Sequence, residues 1–276
     1  MIQALLFLLI SSPLLFACDG DESEETTPPA AADAGAPSAD PDASPADVPD
    51  ATPEPIETVT GTYRFDDYLS MAPLAGTQVT LVGAEGEPFE ADADGRLELE
   101  LPARSPFELK VTAEGYYSYN LFGETCGPDC TRFPEGAYRL GQPLVSLDAG
   151  DLLAEYVGIE QNDESGFVIA VTFCRAPDES FVPCPGVAIE LDSDAEVVIY
   201  EDDSDSVGII PGNNVTVSGG IIFGNAAAGP SVVRITPPAE LNNCSVYPSD
   251  APSTSAEITI YPREVSVIDF VCDRVP

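Results

Sequence analysis

The clearest pattern along the chain is a strict alternation of apolar and charged residues over 96–101. Three leucines occupy alternate positions from Leu97 to Leu101, and the residues between them are charged. Successive side chains of a β-strand point to opposite faces, so the leucines share one face and the charges share the other. A strand that is apolar on one face only is typical of an antiparallel sheet with one solvated side.

Short runs of this kind recur from residue 57 onward, separated by turns rich in Gly, Pro and Asp. One such turn, Asp92–Gly95, leads into the alternating run, and Gly95 suits the positive φ that tight turns need. Many short strands at close spacing favour an all-β fold built from β-sandwiches. The further predicted strands are Gln78–Val82, Phe107–Thr112, Gly166–Cys174, Val187–Leu191, Glu196–Tyr200, Gly219–Phe223, Ser231–Thr236, Ala256–Ile260 and Val265–Cys272.

One segment, Asp148–Gly158, has helical rather than alternating periodicity. Asp148 is suited to cap its first turn and Gly158 to end its last. The predicted apolar face of this helix consists of Leu152, Leu153, Tyr156 and Val157.

The two halves of the chain repeat each other. Pro73–Leu81 aligns without gaps on Pro183–Leu191, and each segment carries a glycine at its fourth position. A glycine, a strand, a turn and a proline then follow in both halves, from Gly95 and from Gly220. The repeat predicts two related sandwich modules over 57–147 and 148–276, with the short helix at the start of the second.

Three motifs of the first module resemble the carboxypeptidase regulatory-like domain. They are Pro-Leu-Ala-Gly-x-x-Val-x-Leu from Pro73, Asp-Ala-Asp-Gly-Arg-Leu-Glu-Leu from Asp92 and Pro-Phe-Glu-Leu-Lys-Val from Pro106. The resemblance implies Ig-like or transthyretin-like β-sandwiches. It also implies an accessory, spacer or adhesion role, since the family has no catalytic residues to transfer.

The N-terminus reads as an export signal. Ile2–Phe16 carries no charge and is too short to span a membrane comfortably. Cys18 after it resembles the lipobox cysteine of bacterial lipoproteins, and an ordinary secretory signal is the alternative. We therefore predict a signal peptide over 1–17 and an acidic, Pro/Ala-rich disordered tether over 18–56. Together with the modules, these segments resemble secreted lipoproteins such as those of myxobacteria.

Charge and composition narrow the classes of function. The formal net charge is −38, so the chain repels nucleic acid. Histidine is absent from the sequence, which excludes Ser–His–Asp hydrolases and most catalytic zinc sites. We predict a non-enzymatic protein without a resident cofactor, a structural Ca²⁺ being the open alternative.

The cysteines beyond Cys18 number six, an even count that indicates disulfides in an exported protein. Sequence order favours Cys126–Cys130, Cys174–Cys184 and Cys244–Cys272. A zinc site at Cys126 and Cys130 is the alternative, but no second pair of matching spacing accompanies it.

Two further clusters are candidate binding residues. Acidic side chains on either side of a predicted strand could bind Ca²⁺ or form a solvated loop; they are Asp192, Asp194, Glu201, Asp202, Asp203 and Asp205. An aromatic run could line a binding patch or pack in a core; it comprises Tyr116, Tyr117, Tyr119 and Phe122.

The leading hypothesis is an exported protein, lipid-anchored to the cell envelope, that presents two modules to an envelope protein or a glycan. The alternative is a calcium-dependent ligand-binding accessory domain.

Overall fold

The computed structural model describes residues 56–128, 140–175, 181–201, 207–208 and 219–275. Within these ranges the protein is an all-β sandwich fold with one short helix, α1 (Leu147–Val157), as predicted. The strands are Thr58–Asp67 (β1), Gln78–Leu81 (β2), Phe89–Glu90 (β3), Arg96–Pro102 (β4), Pro106–Thr112 (β5), Tyr119–Glu124 (β6), Leu140–Leu144 (β7), Ser165–Arg175 (β8), Phe181–Pro183 (β9), Ala188–Leu191 (β10), Val197–Glu201 (β11), Val207–Gly208 (β12), Gly220–Ala227 (β13), Gly229–Thr236 (β14), Leu241–Val246 (β15), Ser255–Ile260 (β16) and Val265–Arg274 (β17).

The described strands form one long sheet and two small ones. The long sheet has the order β12-β11-β13-β8-β17-β6-β5-β2-β3, with β15 and β9 attached to β17 and β8. The first small sheet has the order β4-β1-β7, and the second has the order β10-β14-β16.

Both halves of the chain follow the same pairing plan. β1 pairs antiparallel with β4 and parallel with β7, as β8 pairs antiparallel with β13 and parallel with β17. The set β2-β5-β6 likewise has its counterpart in β10-β14-β16. The plan agrees with the repeat seen in the sequence.

The last strand, β17, joins the two halves. It pairs in parallel with β8 of the second half and with β6 of the first, where Val265 is opposite Tyr119. Val267 packs in the first core and its neighbour Ile268 in the second. Because consecutive strand residues point to opposite faces, the two cores lie on opposite faces of the long sheet. Since β17 contributes to both cores, the module boundary between residues 147 and 148 stays a prediction.

The alternating leucine strand forms as predicted. In β4 the side chains of Leu97, Leu99 and Leu101 are buried, whereas Glu98 and Glu100 are exposed. This strand therefore covers the first core with its leucine face, in antiparallel register with β1.

The turn before β4 also matches the prediction. The Oδ1 atom of Asp92 accepts hydrogen bonds from the backbone N–H groups of Asp94 and Arg96, at 2.9 and 2.8 Å. Gly95 has a φ of 69°, and a Cβ added there would lie 2.4 Å from the carbonyl oxygen of Phe65. Only glycine fits this position without a shift of the backbone.

The helix forms with a different cap, and one residue of its predicted apolar face is exposed. Ser146, rather than Asp148, is the N-cap, and its hydroxyl accepts a hydrogen bond from the Ala149 N–H. Asp148 lies in the first turn, where a negative charge interacts favourably with the helix dipole. Gly158 ends the helix as predicted, with a φ of 74°. Leu152, predicted to be buried, is 67% exposed.

Two of the three predicted disulfides lie in the described residues and are formed. Cys174–Cys184 and Cys244–Cys272 both lie in the second core. Cys126 is buried, but Cys130 lies outside the described residues, so their disulfide stays a prediction.

Removal of the disulfide that closes the longer loop is expected to destabilise the protein more than removal of the other. Cys244 and Cys272 are 28 residues apart and Cys174 and Cys184 are 10 apart. Loop-closure entropy in the unfolded chain therefore predicts losses of about 3.6 and about 2.7 kcal/mol for the respective double serine variants. Urea unfolding measures both losses, and equal values or a reversed order would contradict the loop-length explanation.

Candidate interaction groove

The predicted aromatic patch is mostly interior. Tyr117 and Tyr119 are 5% and 0% exposed and belong to the first core. The hydroxyl of Tyr116 donates to Asp67 at 2.9 Å, and Phe122 packs against the second core. The packing alternative therefore accounts for Tyr117 and Tyr119, which in this structure present no surface to a partner.

The predicted calcium cluster is only partly described. Asp192 forms an ion pair with Arg234, Asp194 accepts the Ala227 N–H through its carbonyl, and Glu201 ends β11. Asp202, Asp203 and Asp205 lie outside the described residues. Among the described residues, no group of three or more His, Cys, Asp or Glu is arranged to hold a metal ion. The calcium site stays a prediction.

The N-terminal predictions also lie outside the described residues. These are the signal peptide, Cys18 and the tether as far as residue 55. In the part of the chain that the structure covers, no helix has the length and apolar character needed to cross a membrane.

A groove of about 990 Å³ lies where the second small sheet ends at β16. Its lining comes from β14 and β16 of that sheet and from β2, β5, β6 and β17 of the long sheet. Leu121 points into the first core, so its neighbour Phe122 points to the opposite face and reaches the groove. The groove therefore follows from the small sheet covering only part of one face of the long sheet.

The groove combines an apolar surface with acidic side chains. Phe107, Phe122 and Ile268 are among its apolar lining residues. The charged residues in the described lining are all carboxylates, namely Glu108, Glu124, Asp192 and Glu257. Such a surface favours a ligand that is apolar and positively charged.

Glu108 is the least satisfied of these carboxylates. Its Oε1 atom is buried and has no hydrogen-bond partner among the described residues. Burial raises the pKa of Glu108, while a hydrogen bond from Tyr261 and the charge of Lys110 act in the opposite direction. A buried carboxylate oxygen without a donor is costly, and a cationic donor entering the groove would remove that cost.

A polar network at the same face ties the two halves together. Lys110, the only lysine of the chain, lies 2.6 Å from the Oε1 atom of Glu264. The side-chain amide of Asn120 donates to the Oε2 atom of the same carboxylate at 2.7 Å. The Lys110 ammonium also lies 5.8 Å from the centre of the Tyr261 ring, within cation–π range. These contacts satisfy the lysine and leave the Oε1 atom of Glu108 without a donor among the described residues.

A second unusual carboxylate, Asp269, lies on the other face of β17. It is buried between Val267 of the first core and Val271 of a small third cluster. Burial raises its pKa to about 7. Burial and the Asp269 charge together also raise the pKa of Tyr63.

The sequence analysis missed Glu108, Glu257 and Asp269 as residues of interest. A charged residue inside the apolar run Val265–Cys272 was an available signal for Asp269. Glu108 and Glu257 carried no such signal, because alternating strands place a charge at every second position. Only the position of β16 beside the long sheet brings the two glutamates into one groove.

Comparisons with known proteins give no family. No family model matches the chain, and no curated protein matches it in sequence. Solved structures similar to it include the minor pilin of Streptococcus agalactiae, with 11% identity over 78% of this chain and 97% of the pilin, at a TM-score of 0.28. The major pilin of Streptococcus pyogenes has 11% identity over 79% of this chain and 99% of the pilin, at a TM-score of 0.29. Likenesses this low carry no argument about function.

Proposed function

We propose that the protein is a non-enzymatic, exported lipoprotein that presents a double β-sandwich to an envelope protein or a glycan. Cys18 would carry the lipid, and the acidic segment after it would hold the sandwich away from the membrane. The disulfides support export, since such bonds persist in oxidising compartments.

The observation that carries the proposal is the joining of the two halves through β17. One strand pairs with both halves and packs in both cores, so the halves share one continuous sheet. A body built in this way holds its two halves in a fixed orientation to each other. This property suits presentation and spacing.

We also propose that the first half is related to carboxypeptidase regulatory-like domains. The sequence motifs and the glycine turn at Asp92–Gly95 support this relation. The accessory role of such domains is consistent with the proposed function.

The variant Cys18→Ser tests the anchoring. We expect the wild-type chain to incorporate radiolabelled palmitate and to sediment with membranes when expressed in its native host. The serine variant has no thiol to acylate, so it should remain unlabelled and appear in the soluble fraction. The nearby Ser23→Ala should behave as wild type. Unlabelled wild type, or membrane retention of Cys18→Ser, would contradict the lipoprotein proposal.

A further inference from the structure

Strands β6 and β16 hold equivalent positions in the two halves but have different neighbours. Lys110 on β5 is opposite Asn120 on β6, and Arg234 on β14 is opposite Ser255 on β16. The outer edge of β6 is covered by β17, which pairs with it in parallel. Among the described residues, no strand pairs along the corresponding edge of β16.

The main chain at Glu257 faces this open edge. Glu257 is opposite Val232 of β14. The carbonyl of Val232 accepts a hydrogen bond from the Asp192 N–H, on the side of β14 that faces away from β16. Hydrogen bonds alternate along an antiparallel pair, so the N–H and C=O of Glu257 point away from β14. On either side of Glu257, serine hydroxyls donate to the carbonyls of Ser255 and Thr259. The open edge is therefore centred on Glu257.

The side chains beside this edge define what a further strand must carry. The groove presents the Phe122 ring for an apolar side chain. Glu108 also lines the groove, and its buried Oε1 atom lacks a donor among the described residues. Strand addition draws affinity from main-chain bonds and specificity from alternate side chains in such pockets.

We propose that the groove binds an extended segment of a partner protein, which adds to the Glu257 edge of β16 as β17 adds to β6. The segment carries a lysine or arginine that donates to Glu108 and an apolar residue that packs on Phe122. The proposal rests on the proposed function, for which it names the class of partner.

Two occupants from the chain itself fit less well. The segment 18–55 contains no Lys or Arg and many carboxylates, so the acidic groove repels it. In a second copy, the strand equivalent to β17 is β7, which contains Pro143 and so lacks one N–H for pairing. The net charge of −38 also opposes self-association.

The test uses the full-length protein in detergent and a fluorescein-labelled peptide of alternating Thr and Val with one central Lys. Fluorescence anisotropy is expected to show saturable binding that weakens as salt rises. A peptide with Glu in place of Lys should bind at least about tenfold more weakly, since a charge-assisted hydrogen bond is lost. A peptide with Pro at alternate Thr positions should not bind.

Protein variants separate the side-chain contact from the main-chain contact. Glu108→Gln should weaken binding of the Lys peptide about tenfold. It should not weaken binding of the Glu peptide. Glu257→Pro should abolish binding, because it removes the N–H that faces the open edge. It should leave the pairing with β14 intact, because that pairing does not use this N–H. Glu257→Gln keeps the main chain and should retain most of the binding. The exposed Glu98→Gln on β4 should change nothing.

Failure to bind the Lys peptide, or binding that survives both Glu108→Gln and Glu257→Pro, would overturn the inference. Binding of a neutral oligosaccharide such as cellohexaose in place of the peptide would overturn it in favour of a glycan. Neither result affects palmitate labelling at Cys18, so the proposed lipoprotein function is judged separately.

Discussion

Deletion of residues 265–276 is expected to unfold both halves of the protein, including strands far from the deletion in sequence. The deletion removes β17, which pairs with β8, β6 and β15. It also removes Val267 from the first core and Phe270 from the second, both buried. Each large buried side chain alone is worth about 2–5 kcal/mol, so the sum exceeds the typical stability of a domain. Circular dichroism and urea unfolding should show no cooperative transition.

The matched control removes only Val275 and Pro276. Val275 is 48% exposed and follows the end of β17, so this short deletion should lower the free energy of unfolding by less than about 1 kcal/mol. A 1–264 chain that kept a cooperative transition for the first half would contradict the shared role of β17. It would favour two independent modules instead.

The variant Asp269→Asn is expected to stabilise the protein at pH 8. Because burial raises the pKa of Asp269 to about 7, the folded state binds an extra proton between its ordinary pKa of 3.8 and about pH 7. The contribution of this group to stability therefore falls as the pH rises through that window and is lowest above it. Asparagine has no charge to bury, so the expected gain at pH 8 is roughly 2–4 kcal/mol.

Urea unfolding of both proteins from pH 4 to pH 8 measures this effect. The difference between them should be small near pH 4 and should grow to its full value near pH 8. Taking the difference removes the titration of the other carboxylates, which the two proteins share. The exposed Asp94→Asn should show no comparable rise. A constant difference across the pH range would contradict the buried charge as its cause.

Local patterns were sufficient to predict ten of the strands and the helix, whereas β1, β3, β6, β7, β9, β12 and β15 were not predicted. The alternating leucines of β4 and the glycine turn before it depend on residues that are adjacent in sequence. Gly158 likewise marked the end of α1. The prediction of Asp148 as the N-cap was wrong, because Ser146 is a residue type that suits the position equally well and it caps the helix instead.

The arrangement of these elements was beyond the reach of local patterns. The apolar run from Val265 to Cys272 is typical of a strand buried on both faces, yet nothing nearby indicates that its partners are β6 and β8. The groove depends on that pairing, because joining the halves sets the edge of β16 beside Glu108 and Phe122. The disulfides were predictable because the order of the cysteines matched the order of the strands.

The position of β1 determines how the protein responds to a mechanical load applied at residue 57. β1 begins at Thr58 and pairs on one side with β4 and on the other with β7. A pull on residue 57 acts along the strand, whereas the bonds to β4 run across it. Those bonds share the load and must break together rather than one after another. The first strand of the sandwich therefore resists unfolding when tension is applied at residue 57.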